Sequence, residues 1–516
     1  MELPPLIAAL LDPRAWPERP SEVKLRQTHI SYLFFTPDFV YKIKKPVDFA
    51  FLDFTTLEKR KFFCDEEVRL NRRLAPSIYL GVVGIAAPER FPFVAIGGDI
   101  IEYAVKMTRL PEESILERAL SSGEVKKDVI IRIAHVIAEF HKRAPTSAYI
   151  SGFGSLETIK KNTDENFTQT RDFIGSTIST GQYNAIRDYT GSFLETNKDL
   201  FLRRVNEGFI KDCHGDIHCE HISITDGINI FDCIEFNERF RFSDTVADIA
   251  FLAMDLDFEG RHDLSGALTK EYFKEAFDRD GVKLLDFYKC YRAYVRGKVE
   301  GFKSREAEVS EEDRTLAVIG ARYHFYLARL YAAGGFRPVM IIISGLSGTG
   351  KSTLADRLSR ATKIRRVSSD FVRKDLAGVP LHEKRREPFK KGIYSDEFTE
   401  MTYAALISEG VKLLRKRRSV ILDATFLNPA HLDMAKEAAS KAGARLVVIE
   451  CVADEGVIKE RLEIRATEPC GVSDARWEVY LKQKGLYKGI AGEGFRVDTG
   501  KSAEGSLIEA TAKIFG

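Results

Sequence analysis

The stretch VMIIISGLSGTGKST, residues 339–353, constrains the fold more than any other part of the chain. A continuous apolar run without alternating polar positions predicts a strand buried on both faces, as in a parallel sheet. That run breaks directly into glycines, and STLADRLSRA after it reads as a helix. Strand, glycine-rich loop and helix in this order call for an α/β layer arrangement. The spacing Gly345-x-x-x-x-Gly350-Lys351-Ser352 turns the loop into a phosphate cradle. Gly345, Gly348 and Gly350 let the main chain close on an anion. The amides of Ser347, Thr349 and Thr353 join those of the glycines, and the helix N-terminus adds positive potential. Lys351 then reaches the β- and γ-phosphates of ATP, and Ser352 holds Mg²⁺.

The segments that follow add candidate chemistry. RRVSSDFVRKDLAG puts Asp370 and Arg373 three residues apart after the next strand, at the sheet edge that faces the phosphate site. An Asp there accepts a proton from a substrate hydroxyl, and an Arg binds an anionic group; helix capping with a solvated Arg is the plain alternative. SVILDATFLNP ends another buried strand in Asp423, a candidate for the Mg²⁺ shell or for capping. IKERLEIRA sets Arg461 and Arg465 on one helical face, either as a lid over the phosphate or as an exposed stripe. On GLSGTGKST, SSDFVRKDLAG, ILDATF and RLEIR, residues 338–516 resemble the small P-loop kinases of the AAA_33 or zeta-toxin/polynucleotide-kinase type. The resemblance implies Asp370 as base, Arg373 as substrate binder, Lys351 and Ser352 on ATP·Mg, and Arg461 and Arg465 in a lid. It leaves the acceptor open.

Earlier in the chain, CHGDIHCEHI, residues 213–222, gathers Cys, His and Asp. Zinc is one reading, since His218-x-x-His221 can place two imidazoles on one side of a turn near Cys213 and Cys219; against it, structural zinc sites normally show paired Cys-x₂₋₄-Cys, these cysteines are six apart, and Gly215 and Asp216 have no role in it. Phosphoryl transfer uses more of the stretch. Asp216 is the candidate base, ISITDGINIFD reads as strand, Asp-Gly turn, strand, and Asp232 closes it as the metal-binding Asp. Asp248, at the start of an apolar helix, braces the loop or caps its helix. Upstream, HISYLFFTPDFVYKIKKPVDF predicts a hairpin turning at Thr36-Pro37-Asp38. Its second strand offers Lys42, with Lys44 on the same face, and the helix TLEKRKFFCDEEVRLNRRL offers Glu67, with Glu66 as second candidate. A strand Lys paired with a helix Glu holds the α- and β-phosphates. IIEYAVKMTRLPE reads as the strand entering an adenine hinge.

By these motifs, residues 25–330 resemble the aminoglycoside phosphotransferase/choline-kinase group, which implies a protein-kinase-like fold. Both halves in this order resemble the bacterial bifunctional aminoglycoside phosphotransferase/ATP-binding protein family. Two departures stand out. The usual pattern is H-G-D-x-x-x-x-N, and His221 occupies the Asn position, where an imidazole favours softer metals than Mg²⁺. The first hairpin also lacks G-x-G-x-x-G.

At 516 residues the chain is too long for one core. The paired glycines of AAGGFRP set the break, giving domains 1–335 and 338–516. The expected fold is an α+β protein-kinase-like (APH-type) domain plus an α/β P-loop NTPase domain with a parallel sheet. A formal net charge of +2 gives no global footprint for duplex nucleic acid, and seven irregularly spaced cysteines argue for a reducing compartment. No apolar run is long enough to span a bilayer and no signal peptide is evident, so a cytoplasmic protein is expected. The expected activity is a kinase with two nucleotide-binding domains, using ATP and Mg²⁺ to phosphorylate a hydroxyl of a small molecule. Two rivals stay open: an ATP-binding regulator with a silent N-terminal domain, and a 5′-hydroxyl nucleic-acid kinase, for which EKRREPFKK and RKRRS are short basic runs.

Overall fold

The computed structural model describes residues 3–49, 52–87, 92–95, 99–380, 383, 390–467, 476–487, 489 and 494–516. Cys470 and most of the basic run at 384–389 lie outside them, as does part of the strand-like FPFVAIGG. The chain divides into two compact units, 1–160 with 196–255 and 267–285, and 161–195 with 256–266 and 286–516.

The first unit is built on a six-stranded sheet in the order Lys24–Gln27, Ser31–Phe35, Phe39–Lys44, Ile100–Thr108, Tyr79–Ala86, Phe93–Ala95. All its pairings are antiparallel. The expected hairpin turns at 36–38, where Thr36 N donates to Phe39 O at 2.9 Å. Alternation along Phe39–Lys44 sorts the two faces. Tyr41 and Ile43 join Trp16, Phe34 and Ile85 on one side. Val40 joins Cys64 and Val68 of helix Leu57–Asn71 on the other. Lys42 and Lys44 share Val40's parity, so both point toward that helix. Beyond residue 111 the unit is mainly helical, with the ribbon Ile222–Ile224/Ile228–Ile230 set among the helices. An antiparallel sheet followed by a mainly helical part is an α+β architecture.

The second unit holds a five-stranded sheet in the order Arg365–Ser368, Val420–Asp423, Val339–Ser344, Arg445–Val452, Phe495–Asp498. Every pairing is parallel. The central strand Val339–Ser344 is buried throughout, as its unbroken apolar run requires. It leads into the glycine loop and helix Lys351–Thr362. The helix Glu311–Ala332 stops at Gly334 and Gly335, both in the left-handed region, where Gly335 N reaches Leu330 O at 3.0 Å. The same helix packs on the last one, Ala503–Phe515. Rings of Tyr323 and Tyr326 lie 4.9 and 5.3 Å from Phe515, and Arg322 Nη1 donates to Thr511 Oγ1 at 3.0 Å. The compact unit therefore continues N-terminally past residues 333–338. Among the described residues no helix is long and apolar enough to cross a membrane, and the described cysteines are buried thiols.

Candidate active sites

In the first unit, strand parity and helix packing bring Lys42 Nζ to 2.8 Å from Glu67 Oε1 and 2.8 Å from Asp232 Oδ1. Lys44 Nζ lies 2.8 Å from Glu67 Oε2 and also pairs with Glu235. Glu67 is fully buried. Burial favours its neutral form, yet the charges of Lys42 and Lys44 hold it below the ordinary carboxylate range. Glu66 turns outward to Arg69, Oε1 to Nε at 2.8 Å, so the pair uses Glu67. Glu235, three residues past Asp232, was not among the sequence candidates.

The 213–222 stretch folds as a loop tied from below. Asp248 Oδ2 accepts from His214 N and Oδ1 from Gly215 N, both at 2.9 Å, and His141 Nε2 lies 3.1 Å from Oδ2. Asp248 thus braces the loop. Burial opposes its charge, but the bond and charge of His141, with those of His214, keep its carboxyl at about 2. Gly215 is in the left-handed region, and a Cβ there would stand 2.8 Å from Phe240 O, so the turn requires glycine. His221 stands between two carboxylates. Its Nδ1 is 3.0 Å from the carbonyl O of Asp216 and 3.4 Å from Oδ2 of the same residue, while Nε2 is 3.4 Å from Asp232 Oδ2. The His218 ring lies 3.8 Å from the His221 ring, and its Nε2 lies 3.6 Å from Asp216 Oδ2. Burial, then His218, push the His221 imidazole below its ordinary pKa. Cys213 and Cys219 do not join this group: Cys213 lies with His141 and Asp248, and Cys219 N donates to Asp255 Oδ2 at 2.7 Å. Lys42, Glu67, Asp216, His221 and Asp232 are thereby linked through contacts of 2.8–3.4 Å, and the carboxylates and imidazole among them are donors suited to a divalent cation.

In the second unit the glycine loop leaves the central strand between Val420–Asp423 and Arg445–Val452. Gly345, Gly348 and Gly350 all have positive φ. A Cβ on Gly345 would sit 2.7 Å from Cys451 O, and one on Gly348 would sit 2.8 Å from Ile458 Cγ2. Leu346 packs with Ile458 and Leu462 of helix Glu455–Thr467 and Tyr480 of helix Trp477–Leu486. Ser347 and Thr349 are buried, Lys351 and Ser352 are half-buried and Thr353 is exposed, so the loop opens toward its helix end. Ser347 N donates to Gln483 Oε1 at 2.9 Å, a contact that no motif signalled. Arg461 Nη2 donates to Thr499 O at 2.6 Å, and its buried Nη1, 3.2 Å from a Cβ placed on Gly350, has no hydrogen-bond partner among the described residues. Arg461 therefore reaches the loop; Arg465 lies one turn further along the helix.

Asp423 ends its strand beside Ile343 on one side and Ser368 on the other. Arg366 Nε donates to Asp423 Oδ2 at 3.1 Å, and buried Oδ1 lacks a hydrogen-bond partner among the described residues. A cation or its bound water fits that acceptor. Asp370 sits half-buried in the first turn of helix Ser369–Leu376. Arg373, on the same helix, turns inward: Nη1 donates to Ile393 O at 2.6 Å and to Thr399 Oγ1 at 3.3 Å. Burial pushes the Cys451 thiol up to about 12 despite Lys351 nearby, so it stays protonated.

Residues 340–487 match the model of an AAA domain, AAA_33. The uncharacterized protein Rv2004c of Mycobacterium tuberculosis (strain ATCC 25618 / H37Rv) is 30% identical over 490 residues, covering 95% of this chain and 94% of that protein. Among solved structures, a gluconokinase from Sinorhizobium meliloti is 20% identical with a TM-score of 0.26, covering 35% of this chain and 92% of that one. A choline/ethanolamine kinase family protein from Mesorhizobium loti is 11% identical with a TM-score of 0.38, covering 64% and 98%. On identity that runs nearly end to end, the chain belongs to the family it shares with the mycobacterial relative, with an AAA_33 domain over residues 340–487.

Proposed function

We propose that the protein is an ATP-dependent phosphotransferase with two nucleotide sites, one in 1–335 and one in 338–516, each directed at a hydroxyl of a small molecule. The observation that carries the reading is the glycine loop at the carboxyl end of a central parallel strand, flanked by Asp423 and opening on helix Lys351–Thr362. In this reading the amides of 345–353 and the Lys351 ammonium bind the phosphates of ATP. Ser352 and Asp423 hold Mg²⁺, directly or through water. Asp370 takes the proton of the acceptor hydroxyl as its oxygen bonds to the γ-phosphorus. The bond from that phosphorus to the β–γ bridging oxygen breaks, and ADP leaves. Arg461 and Arg465 neutralise charge over the γ-phosphate, and Arg373 shapes the acceptor side.

In the N-terminal domain, Lys42 positioned by Glu67 binds the α- and β-phosphates, Asp232 and His221 take the cation, and Asp216 is the base. His221 in place of Asn favours a second reading for this domain alone, in which it binds nucleotide without turnover.

The test is phosphoryl transfer from γ-labelled ATP to a metabolite extract by wild type, Asp370→Asn, Asp216→Asn and Lys351→Ala. Asp370→Asn is expected to lower transfer by about 10²-fold or more with ATP binding retained, the loss typical of a removed general base. Lys351→Ala is expected to lose both at the second site. Unchanged transfer in Asp370→Asn and Lys351→Ala together contradicts the proposal. Loss in Asp370→Asn but not Asp216→Asn assigns the N-terminal domain a binding role.

A further inference from the structure

We propose that the cation site between His221 and Asp232 selects a first-row transition ion of the Mn²⁺ or Zn²⁺ type over Mg²⁺, with His221 Nε2 as a direct ligand. This deepens the reading of the N-terminal domain given above.

One hydrogen bond fixes where His221 carries its proton. Its Nδ1 lies 3.0 Å from the carbonyl oxygen of Asp216. A carbonyl only accepts, so Nδ1 carries the hydrogen and the tautomer is fixed. In the neutral ring Nε2 is then a bare lone pair, and it faces Asp232 Oδ2 at 3.4 Å. Two acceptors meeting in a recess where the His221 side chain is only 15% exposed repel unless a cation lies between them. Were the ring an imidazolium instead, the N–H to Oδ2 contact would be charge-assisted and would close to about 2.7–2.9 Å. The observed gap is wider. Two ligand atoms each about 2.1 Å from one ion, at a tetrahedral angle, stand roughly 3.4 Å apart.

Independent features hold Asp232 for this task. Its φ is +62°, a left-handed conformation unusual for a non-glycine residue and costly unless the surroundings enforce it. Lys42 occupies Oδ1 at 2.8 Å, which leaves Oδ2 toward His221. On the Nδ1 side of the same ring, Asp216 Oδ2 lies 3.4 Å from His221 Nδ1 and 3.6 Å from His218 Nε2. Mg²⁺ is hard and favours oxygen and water, whereas imidazole suits borderline ions. An amide oxygen at position 221 would keep the site hard; the imidazole shifts its preference.

Pulsed EPR of the full chain loaded with one equivalent of Mn²⁺ tests the assignment without nucleotide or turnover. Phosphoryl transfer can therefore fail with the ion still bound, and the ion site can fail with transfer intact. The expected result is ¹⁴N coupling from a directly bound imidazole, retained in 100-fold excess Mg²⁺. His221→Asn is expected to lose the coupling, to bind Mn²⁺ at least tenfold more weakly and to release it to Mg²⁺. Absence of bound Mn²⁺, Mn²⁺ without ¹⁴N coupling, or displacement from wild type by equimolar Mg²⁺ would each overturn the proposal, whether or not the variant folds.

Discussion

At the scale of single residues, two lysines that look equivalent in sequence have separate work. Lys42 and Lys44 share a strand face, and parity alone leaves the choice open. The Lys42 side chain keeps 11% exposure between Glu67 and Asp232, whereas Lys44 is sealed between Glu67 and Glu235. Lys42→Ala should weaken nucleotide binding at the N-terminal site with little change in unfolding temperature. Lys44→Met should lower stability by about 3–5 kcal/mol in denaturant titration, because it leaves buried Glu235 without its lysine and takes one of the two lysines from Glu67. The Lys42–Glu67 pair was legible from the hairpin and the following helix. Glu235 was not, since a lone Glu after Asp232 matches no spacing rule. Gln483 is a similar case: an uncharged side chain with no motif, brought to Ser347 N by tertiary packing. Gln483→Ala releases an amide that the nucleotide can use. ATP should then bind roughly 2–10-fold more tightly by titration calorimetry, the worth of one neutral hydrogen bond.

At the scale of elements, the brace under the 213–222 loop sets a pH dependence. Asp248 sits at about 2 against an ordinary 3.8. A depressed carboxylate stabilises the fold above its unfolded pKa, and that contribution is lost as pH falls through the folded one. The window runs from about pH 4 down to pH 2 and holds about 2 kcal/mol. The urea midpoint of wild type should fall across it more steeply than that of Asp248→Asn; parallel curves would count against the brace. In the second unit the glycine loop and helix Glu455–Thr467 are mutually fitted. A Cβ on Gly348 meets Ile458 and Leu462 at 2.8 and 3.0 Å, with φ of +84° adding strain. Gly348→Ala should cost about 1–3 kcal/mol in thermal unfolding and abolish nucleotide binding. The buried strands, the hairpins and the loop were readable because each carries a local period or a turn residue. The inward turn of Arg373 was not, because its partners Ile393 and Thr399 lie some twenty residues on.

At the scale of the whole molecule, the glycines at 334 and 335 end a helix as their sequence suggests, yet compactness does not end with them. Helix Glu311–Ala332 covers Phe515, and Arg445 Nη1 donates to Ile514 O at 2.9 Å. Helices packed across such sequence distances leave no local signal, which is why the paired glycines read as a domain limit. A fragment starting at residue 338 uncovers the Phe515 ring. Its unfolding temperature should lie roughly 4–10 °C below that of the same module in the full chain, from about 2 kcal/mol of lost aromatic burial. Equal temperatures would show that the module is complete at 338.

In the proposed reading the main chain of 345–353 closes around the phosphates of a nucleotide. Amide hydrogen exchange across that segment, followed by mass spectrometry with and without ATP, reads it directly. Binding should slow exchange at 348–353 in wild type and leave it unchanged in Lys351→Ala; ATP bound by the wild-type chain with no protection in that segment would contradict the account.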